Sequence, residues 1–299
     1  MSLVLLQSVA VAQNWRDILT KKPLNESEIR DYFGDSLKLI ENPQLKPGQV
    51  IDFDSGSFRV NGSLREGVGA YVYDVSPVSN PEQSFALKMP KLGKNGGLNI
   101  KSVNGYIRET EIINNLDHPG VIKSVRPDSH FLVMEKADGT FLDLMKSLKY
   151  KPQAPKFAVK ALEDVESCLN YLRPKGIAYK DLHTGNIVYF KTEDNRIEFK
   201  LIDFEKTVYS EANDPDVFEK IFQQLAEFIQ SEDAEEFEQE LFRAVTVYDL
   251  KDVLRQRGIT IEEFDGQLSG EEQMILAVSE ARAEASGGAP GGAAGDCNK

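Results

Sequence analysis

Asp181 and Asn186 lie five positions apart in Ala178-Tyr179-Lys180-Asp181-Leu182-His183-Thr184-Gly185-Asn186-Ile187-Val188-Tyr189, and Asp203 follows in Leu201-Ile202-Asp203-Phe204. These residue types suit phosphoryl transfer. One carboxylate accepts the proton of an attacking hydroxyl, while an amide carbonyl and a second carboxylate offer hard oxygens to a divalent metal on the phosphates. Taken singly, Asp203 would be a turn former at a strand end, and Asp181 a polar residue in a loop.

The elements that must hold these residues are legible from periodicity. Apolar pairs on either side of the Asp181 loop, Ile177-Ala178 and Ile187-Val188-Tyr189-Phe190, predict two short strands. Upstream, period-two alternation begins at Val50, with Ile51 and Phe53, then Phe58 and Val60. A glycine-bearing turn at residues 64–73 leads to a strand over 84–89, which sets Lys88 among apolar neighbours. A helix with Ile107, Ile112, Ile113 and Leu116 on one face follows, and strands are predicted over 121–125 and 131–135. Beyond them the pattern is helical: a short helix over 141–148 and a long one over 155–172, closed by Pro174 and Gly176. Asp214-Pro215 predicts a further helix start, with Val217, Phe218, Ile221, Phe222, Leu225, Phe228 and Ile229 as its apolar face. Three more helices are expected at 233–246, 248–257 and 270–284, the last capped by Ser269 and Glu272.

The first 47 residues read as a helical extension, with Asn25 and Glu28 forming a capping box and Pro43 and Pro47-Gly48 ending it. Ala10-Val11-Ala12 has the look of a signal-peptidase site, but no Lys or Arg precedes it, so a helix packed on the domain is expected. The Gly/Ala-rich end, 286–299, is expected to be disordered.

The 299 residues carry a net charge of −13, and residues 231–285 alone contribute −10, with 15 acidic against 5 basic side chains. A solvated acidic helical surface accounts for this, with a docking surface for a basic partner second. It repels nucleic acid and anionic membrane, so neither is expected as a partner. No apolar run has bilayer-spanning length. The two cysteines, Cys168 in a helical pattern and Cys297 in the tail, point to a reducing, cytoplasmic setting without a structural disulfide.

The run Tyr171-Leu172-Arg173-Pro174-Lys175-Gly176-Ile177-Ala178-Tyr179-Lys180-Asp181-Leu182 resembles the end of the long helix and the His-Arg-Asp catalytic loop of eukaryotic-type protein kinases. Motifs appear in the family's order over roughly 57–225. The resemblance implies an α+β, two-lobed protein-kinase-like fold: a small antiparallel sheet with one helix (48–136), then a mainly helical, shortened second lobe (137–285). It implies ATP and Mg2+ as cosubstrate and cofactor. Lys88 matches the strand lysine on the phosphates and Glu109 the helix glutamate that orients it, with Glu111 the less well-spaced competitor. Asp181 matches the base, Asn186 a magnesium ligand and Asp203 the main magnesium ligand. By the same alignment Val72 and Ala86 would cover the adenine from above and Val188 from below. Met134 would be the gatekeeper, with Glu135-Lys136-Ala137 as hinge and Gly67 the one glycine of the phosphate turn kept in register.

The departures shape the functional reading. Arg65 and Ala70 stand where the turn would have glycines. Tyr179 replaces histidine, Lys180 replaces arginine, and Phe204-Glu205 replaces Phe-Gly. The segment after Asp203 is short and no Ala-Pro-Glu follows, so switching by phosphorylation of Thr207, Tyr209 or Ser210 is not expected. His183 occupies the position usual for lysine, and Asp-Leu-His-x-Gly-Asn also resembles aminoglycoside and choline kinases. The favoured expectation is an atypical serine/threonine protein kinase acting on a protein hydroxyl. The alternatives are a small-molecule kinase and a pseudokinase scaffold that binds a partner through its acidic lobe.

Overall fold

A computed structural model of the chain describes residues 15–53, 56–67, 69–93, 95–125, 130–210, 212, 217–229, 233–259, 261 and 264–287. Five strands form an antiparallel sheet in chain order: β1 (Val50–Phe53), β2 (Gly56–Glu66), β3 (Ala70–Pro77), β4 (Phe85–Pro90) and β5 (Leu132–Glu135). Alternation decides which face is inside: Ile51, Phe53, Phe58 and Val60 are buried, their neighbours exposed or half-buried. The stretch expected as a turn over 64–73 is mostly strand. β2 and β3 pair as far as Glu66 and Tyr71.

Helix α4 (Ile100–Asn115) crosses the sheet, its start fixed by the Asn99 side chain accepting from Ser102 N. It buries Val103, Tyr106, Ile107, Ile112 and Ile113, and among them one charged residue, Glu109. The strand expected over 121–125 does not form. Val121 bridges to Leu201 and Ser124 to Met134, so its hydrogen bonds divide between two different strands and no ladder develops.

The second half is helical around a small sheet. Helices α5 (Phe141–Ser147) and α6 (Ala154–Leu172) are followed by β7 (Ile177–Ala178), β8 (Ile187–Lys191) and β9 (Ile197–Leu201). β8 lies between β6 (Gly139–Thr140) and β9, while β7 pairs with β10 (Val208–Tyr209). Gly176, at φ 71°, makes the left-handed turn from the end of α6 into β7. Further on come α7 (Glu219–Ala226), α8 (Ala234–Arg243), α9 (Val247–Gln256) and α10 (Gly270–Gly287), the last with the expected Ser269–Glu272 reciprocal cap. Phe218, Ile221, Phe222, Leu225, Phe228 and Ile229 are buried as expected, but α7 itself ends at Ala226. Asp214-Pro215, the first 14 residues and residues 288–299 lie outside the described residues.

The N-terminal extension is the element whose role the sequence least suggested. Helix α1 (residues 15–20), α2 (Glu26–Phe33, with the expected Asn25–Glu28 box) and α3 (Leu37–Glu41) pack on α4 and the sheet. The Asn104 side chain on α4 binds both the N–H and the C=O of Leu24, at 2.7 and 2.8 Å. Lys21 pairs with Glu111 at 2.8 Å, and the Tyr73 hydroxyl donates to Pro43 O at 2.8 Å. Trp15, Ile29 and Phe33 are buried in the common core.

Candidate active site

β4 ends the sheet's approach to the cleft between the two halves and places Lys88 with Val72 on β3 and Leu132 on β5 opposite it in register. Its ammonium lies 2.6 Å from Glu109 Oε2 and 3.2 Å from Asp203 Oδ1. Of the two candidate glutamates on α4, Glu109 turns inward to Lys88 and Glu111 outward to Lys21. Burial works to lower the Lys88 ammonium, but Glu109 and Asp203 outweigh it and hold Lys88 above its ordinary range. Burial also raises the Glu109 carboxyl, with Lys88 opposing. A lysine in contact with two carboxylates is a cation at any physiological pH, so the ion pair is the state that matters.

The loop between β7 and β8 carries Asp181, His183 and Asn186. Asn186 Nδ2 donates to Asp181 O at 2.9 Å and to Asp181 Oδ2 at 3.2 Å, which ties the two ends of the loop together. His183 Nδ1 accepts from Gly185 N at 3.1 Å and caps the one-turn helix Thr184–Asn186. Burial and the charge of Lys220 hold the imidazole below its ordinary pKa, so His183 is neutral at pH 7. Burial alone would raise Asp181, but Lys206 hydrogen-bonds it and brings it below the ordinary carboxylate value.

The segment after β9 is held in place by side chains that differ from the usual family pattern. The Tyr179 hydroxyl donates to Ile202 O at 2.5 Å, and its ring meets Phe204 edge-on at 5.2 Å. Asp203 adopts the left-handed backbone (φ 61°), which reverses the chain into a turn over Phe204–Lys206. Glu205 lies against α4: a Cβ placed on Gly105 would come within 2.6 Å of Glu205 Cγ, and Arg108 on the same helix donates to Glu205 O. Thr207 is fully buried, and Tyr209 fills the space over Gly176 with Arg16 of the extension 5.4 Å above its ring.

The family model for the protein kinase domain matches residues 58–234, more than half of the chain. The chain belongs to the protein kinase family. It is 33% identical over 138 residues to calcium-dependent protein kinase 5 of Plasmodium falciparum, covering 44% of this chain and 23% of that protein. It is 28% identical over 176 residues to the ovarian-specific serine/threonine-protein kinase Lok of Drosophila melanogaster, covering 54% and 35% respectively. The chain thus spans about a third of the length of these relatives or less.

The residues expected to line a nucleotide site lie on β3, β4, β5 and β8 and in the connection after β5. Ala86 on β4 pairs with Met134 on β5, both buried, and Val188 on β8 is buried beneath. Glu135 and Ala137 follow Met134 in the connection between the two halves. The Glu135 carboxylate accepts from Lys123 N at 2.8 Å and pairs with Lys200 at 2.8 Å. Gly67 N donates to Ala70 O at 2.9 Å and closes the turn. A Cβ there would meet only Ala70 O at 3.5 Å, so glycine is not sterically required.

Sequence reasoning missed two cations. Lys206 Nζ lies 2.9 Å from Asp181 Oδ2. Arg65, noted only as a lost glycine, reaches across the cleft, its Nη2 3.9 Å from where a Cβ of Gly185 would stand. Their positions depend on where a turn and a hairpin aim their side chains, and no motif in the sequence marks them. Among the described residues no group of three His, Cys, Asp or Glu side chains could hold a metal by itself. Asn186 and Asp203 carry oxygen donors of the kind a magnesium ion takes.

Proposed function

We propose that this chain transfers the ATP γ-phosphate to a serine or threonine hydroxyl of a protein, with residues 48–136 and 137–285 as the two lobes. The observation that carries the reading is the continuous chain of contacts Glu109–Lys88–Asp203 beside the Asp181–Asn186 loop. Lys88 would hold the α- and β-phosphates, oriented by Glu109. Asn186 and Asp203 would hold magnesium, which when bound neutralises phosphate charge. Met134, Glu135, Ala137, Val72, Ala86 and Val188 would enclose the adenine, and Gly67 would bring backbone N–H groups to the phosphates.

In the transfer itself the acceptor hydroxyl oxygen attacks the γ-phosphorus. The bond from that phosphorus to the β–γ bridging oxygen breaks with its electron pair leaving on ADP, and the hydroxyl proton passes to Asp181. Asp181 is held as a carboxylate: against the effect of burial, Lys206 keeps its pKa below the ordinary value. Glu205 packed on Gly105 and the buried Thr207 support a segment after Asp203 that stays in one arrangement without phosphorylation. No helix among the described residues is long and apolar enough to cross a membrane. A buried free Cys168 agrees with a reducing, cytoplasmic setting.

His183 favours a second reading, a small-molecule acceptor, since it occupies a lysine's usual place. Its contact with Gly185 N, however, gives it a local task in shaping the loop. Three measurements test the proposal together. ATP with magnesium raises the melting temperature, radiolabel enters generic protein substrates and not aminoglycosides or choline, and Asp181→Ala abolishes turnover while keeping the thermal shift. Label on the small molecules alone would select the second reading. Absence of a thermal shift would favour a pseudokinase.

A further inference from the structure

Charge spreads over the equatorial oxygens of the transferred phosphoryl group in the transition state, and a cation close to them lowers the barrier. Past Asp181 its loop supplies no lysine or arginine: the next four residues are Leu182, His183, Thr184 and Gly185, and His183 accepts from Gly185 N through Nδ1 while its Nε2 stands 3.8 Å from Asp181 Oδ2. Lys88 is already shared between Glu109 and Asp203. Lys220 on α7 contributes only a field at Asp181, and Arg65 hangs from the opposite side of the cleft without touching the carboxylate. The cation in contact with Asp181 is Lys206, which comes from the segment after Asp203, 25 positions along the chain.

The placement of Lys206 is built into the backbone. The left-handed Asp203 reverses the chain, Phe204 and Thr207 are both buried, and of the two residues between them Glu205 lies against α4 while Lys206 turns to the Asp181 carboxylate. Its side chain is 66% exposed and Asp181's only 15%. An ion pair with so exposed a lysine adds little to stability, which leaves the fixed position itself as the consequence of this turn.

Resting on the phosphotransferase reading above, we propose that Lys206 is the cation that bridges Asp181 and the transferred phosphoryl group. In the step, Lys206 gives up no proton. It neutralises the phosphoryl oxygens while the hydroxyl proton moves to Asp181 and the bond to the ADP oxygen breaks. The lysine ordinarily expected two places after the base has thus been replaced, in function, by one three places after Asp203, and His183 is released to cap the loop.

The test compares wild type with Lys206→Met and Lys206→Arg. Expected is a loss of about 100-fold in kcat for Lys206→Met, the size found for removing one such electrostatic contact. The KM for ATP and the melting temperature stay near wild type, and Lys206→Arg recovers most of kcat. In parallel, acylation of lysines by acetic anhydride is followed by mass spectrometry. A non-hydrolysable β,γ-imido ATP analogue with magnesium shields Lys206, and ADP with magnesium does not. Unchanged kcat in Lys206→Met, a loss that arginine does not repair, or equal labelling with both nucleotides overturns the inference while leaving Asp181 as base. A wild-type protein that neither gains thermal stability from ATP and magnesium nor transfers phosphate overturns the phosphotransferase reading, and Lys206's role with it.

Discussion

Tyr179 illustrates how one substitution redirects local chemistry. A histidine at that position offers a ring nitrogen, whereas the tyrosine hydroxyl reaches Ile202 O and its ring packs on Phe204. The residue immediately before Asp203 is thereby tied to the residue two before Asp181. Tyr179→Phe keeps the ring contact but leaves a part-buried carbonyl without its donor, a cost of about 1–3 kcal/mol. Chemical denaturation checks that figure. The same variant is expected to lower kcat more than it raises the KM for ATP, because it loosens Asp203 relative to Asp181. An unchanged melting temperature and kcat would remove the tie from the account.

At the scale of elements, α4 is the part on which everything converges. Its Glu109 meets Lys88, its Gly105 and Arg108 receive Glu205, and its Asn104 clamps the extension at Leu24. At 105 the Glu205 side chain occupies the place a Cβ would take. Gly105→Ala is therefore expected to displace Glu205 and reduce activity, and Glu205→Gly in the same chain to restore it. A double-mutant cycle reads this coupling directly, and strict additivity would refute it. Asn104→Ala leaves the Leu24 backbone without both partners, with an expected loss of about 1–3 kcal/mol and lower turnover. Faster hydrogen exchange over α1, α2 and α4 is its signature, and exchange unchanged across α4 would show that the extension does not brace it.

For the whole molecule, protonation sets the range of stability. Burial pushes the Cys168 thiol from 9.0 up to about 12 and the Tyr32 hydroxyl from 10.0 up to about 12. The unfolded chain releases these protons first, so their contribution is complete below pH 9 and lost as pH rises toward 12. Conversely, Asp74 is lowered: burial would raise it, but Lys136, Ser84 and Asn61 together bring it down. Glu272 is lowered likewise, with Lys156 and Ser269 outweighing its burial. That contribution is present above the ordinary carboxylate range and is lost as pH falls below it. Melting temperature against pH is thus expected to form a plateau around neutrality that falls on both sides, and Cys168→Ala is expected to flatten the alkaline limb. An alkaline limb identical in the variant would count against the buried thiol as a contributor.

The sequence by itself determined the order of the chemistry, the caps and the periodic faces. Asn25–Glu28 and Ser269–Glu272 were readable because a cap joins residues three apart, and the sheet strands because side chains alternate along an extended backbone. Lys88, Glu109, Asp181, Asn186 and Asp203 could be singled out because the resemblance places them at fixed offsets. Where the pattern was local but the partner was not, it misled: residues 121–125 hold three β-branched apolar residues yet divide their bonds between Leu201 and Met134. Only the tertiary structure decided that Lys206 lies on Asp181, that Asn104 holds Leu24 80 positions away, and that Arg65 crosses the cleft. Those contacts depend on one left-handed residue at Asp203 and on how a helix docks against an extension. The direction in which a turn aims a side chain is fixed by packing on both sides of it, and no spacing along the chain records that.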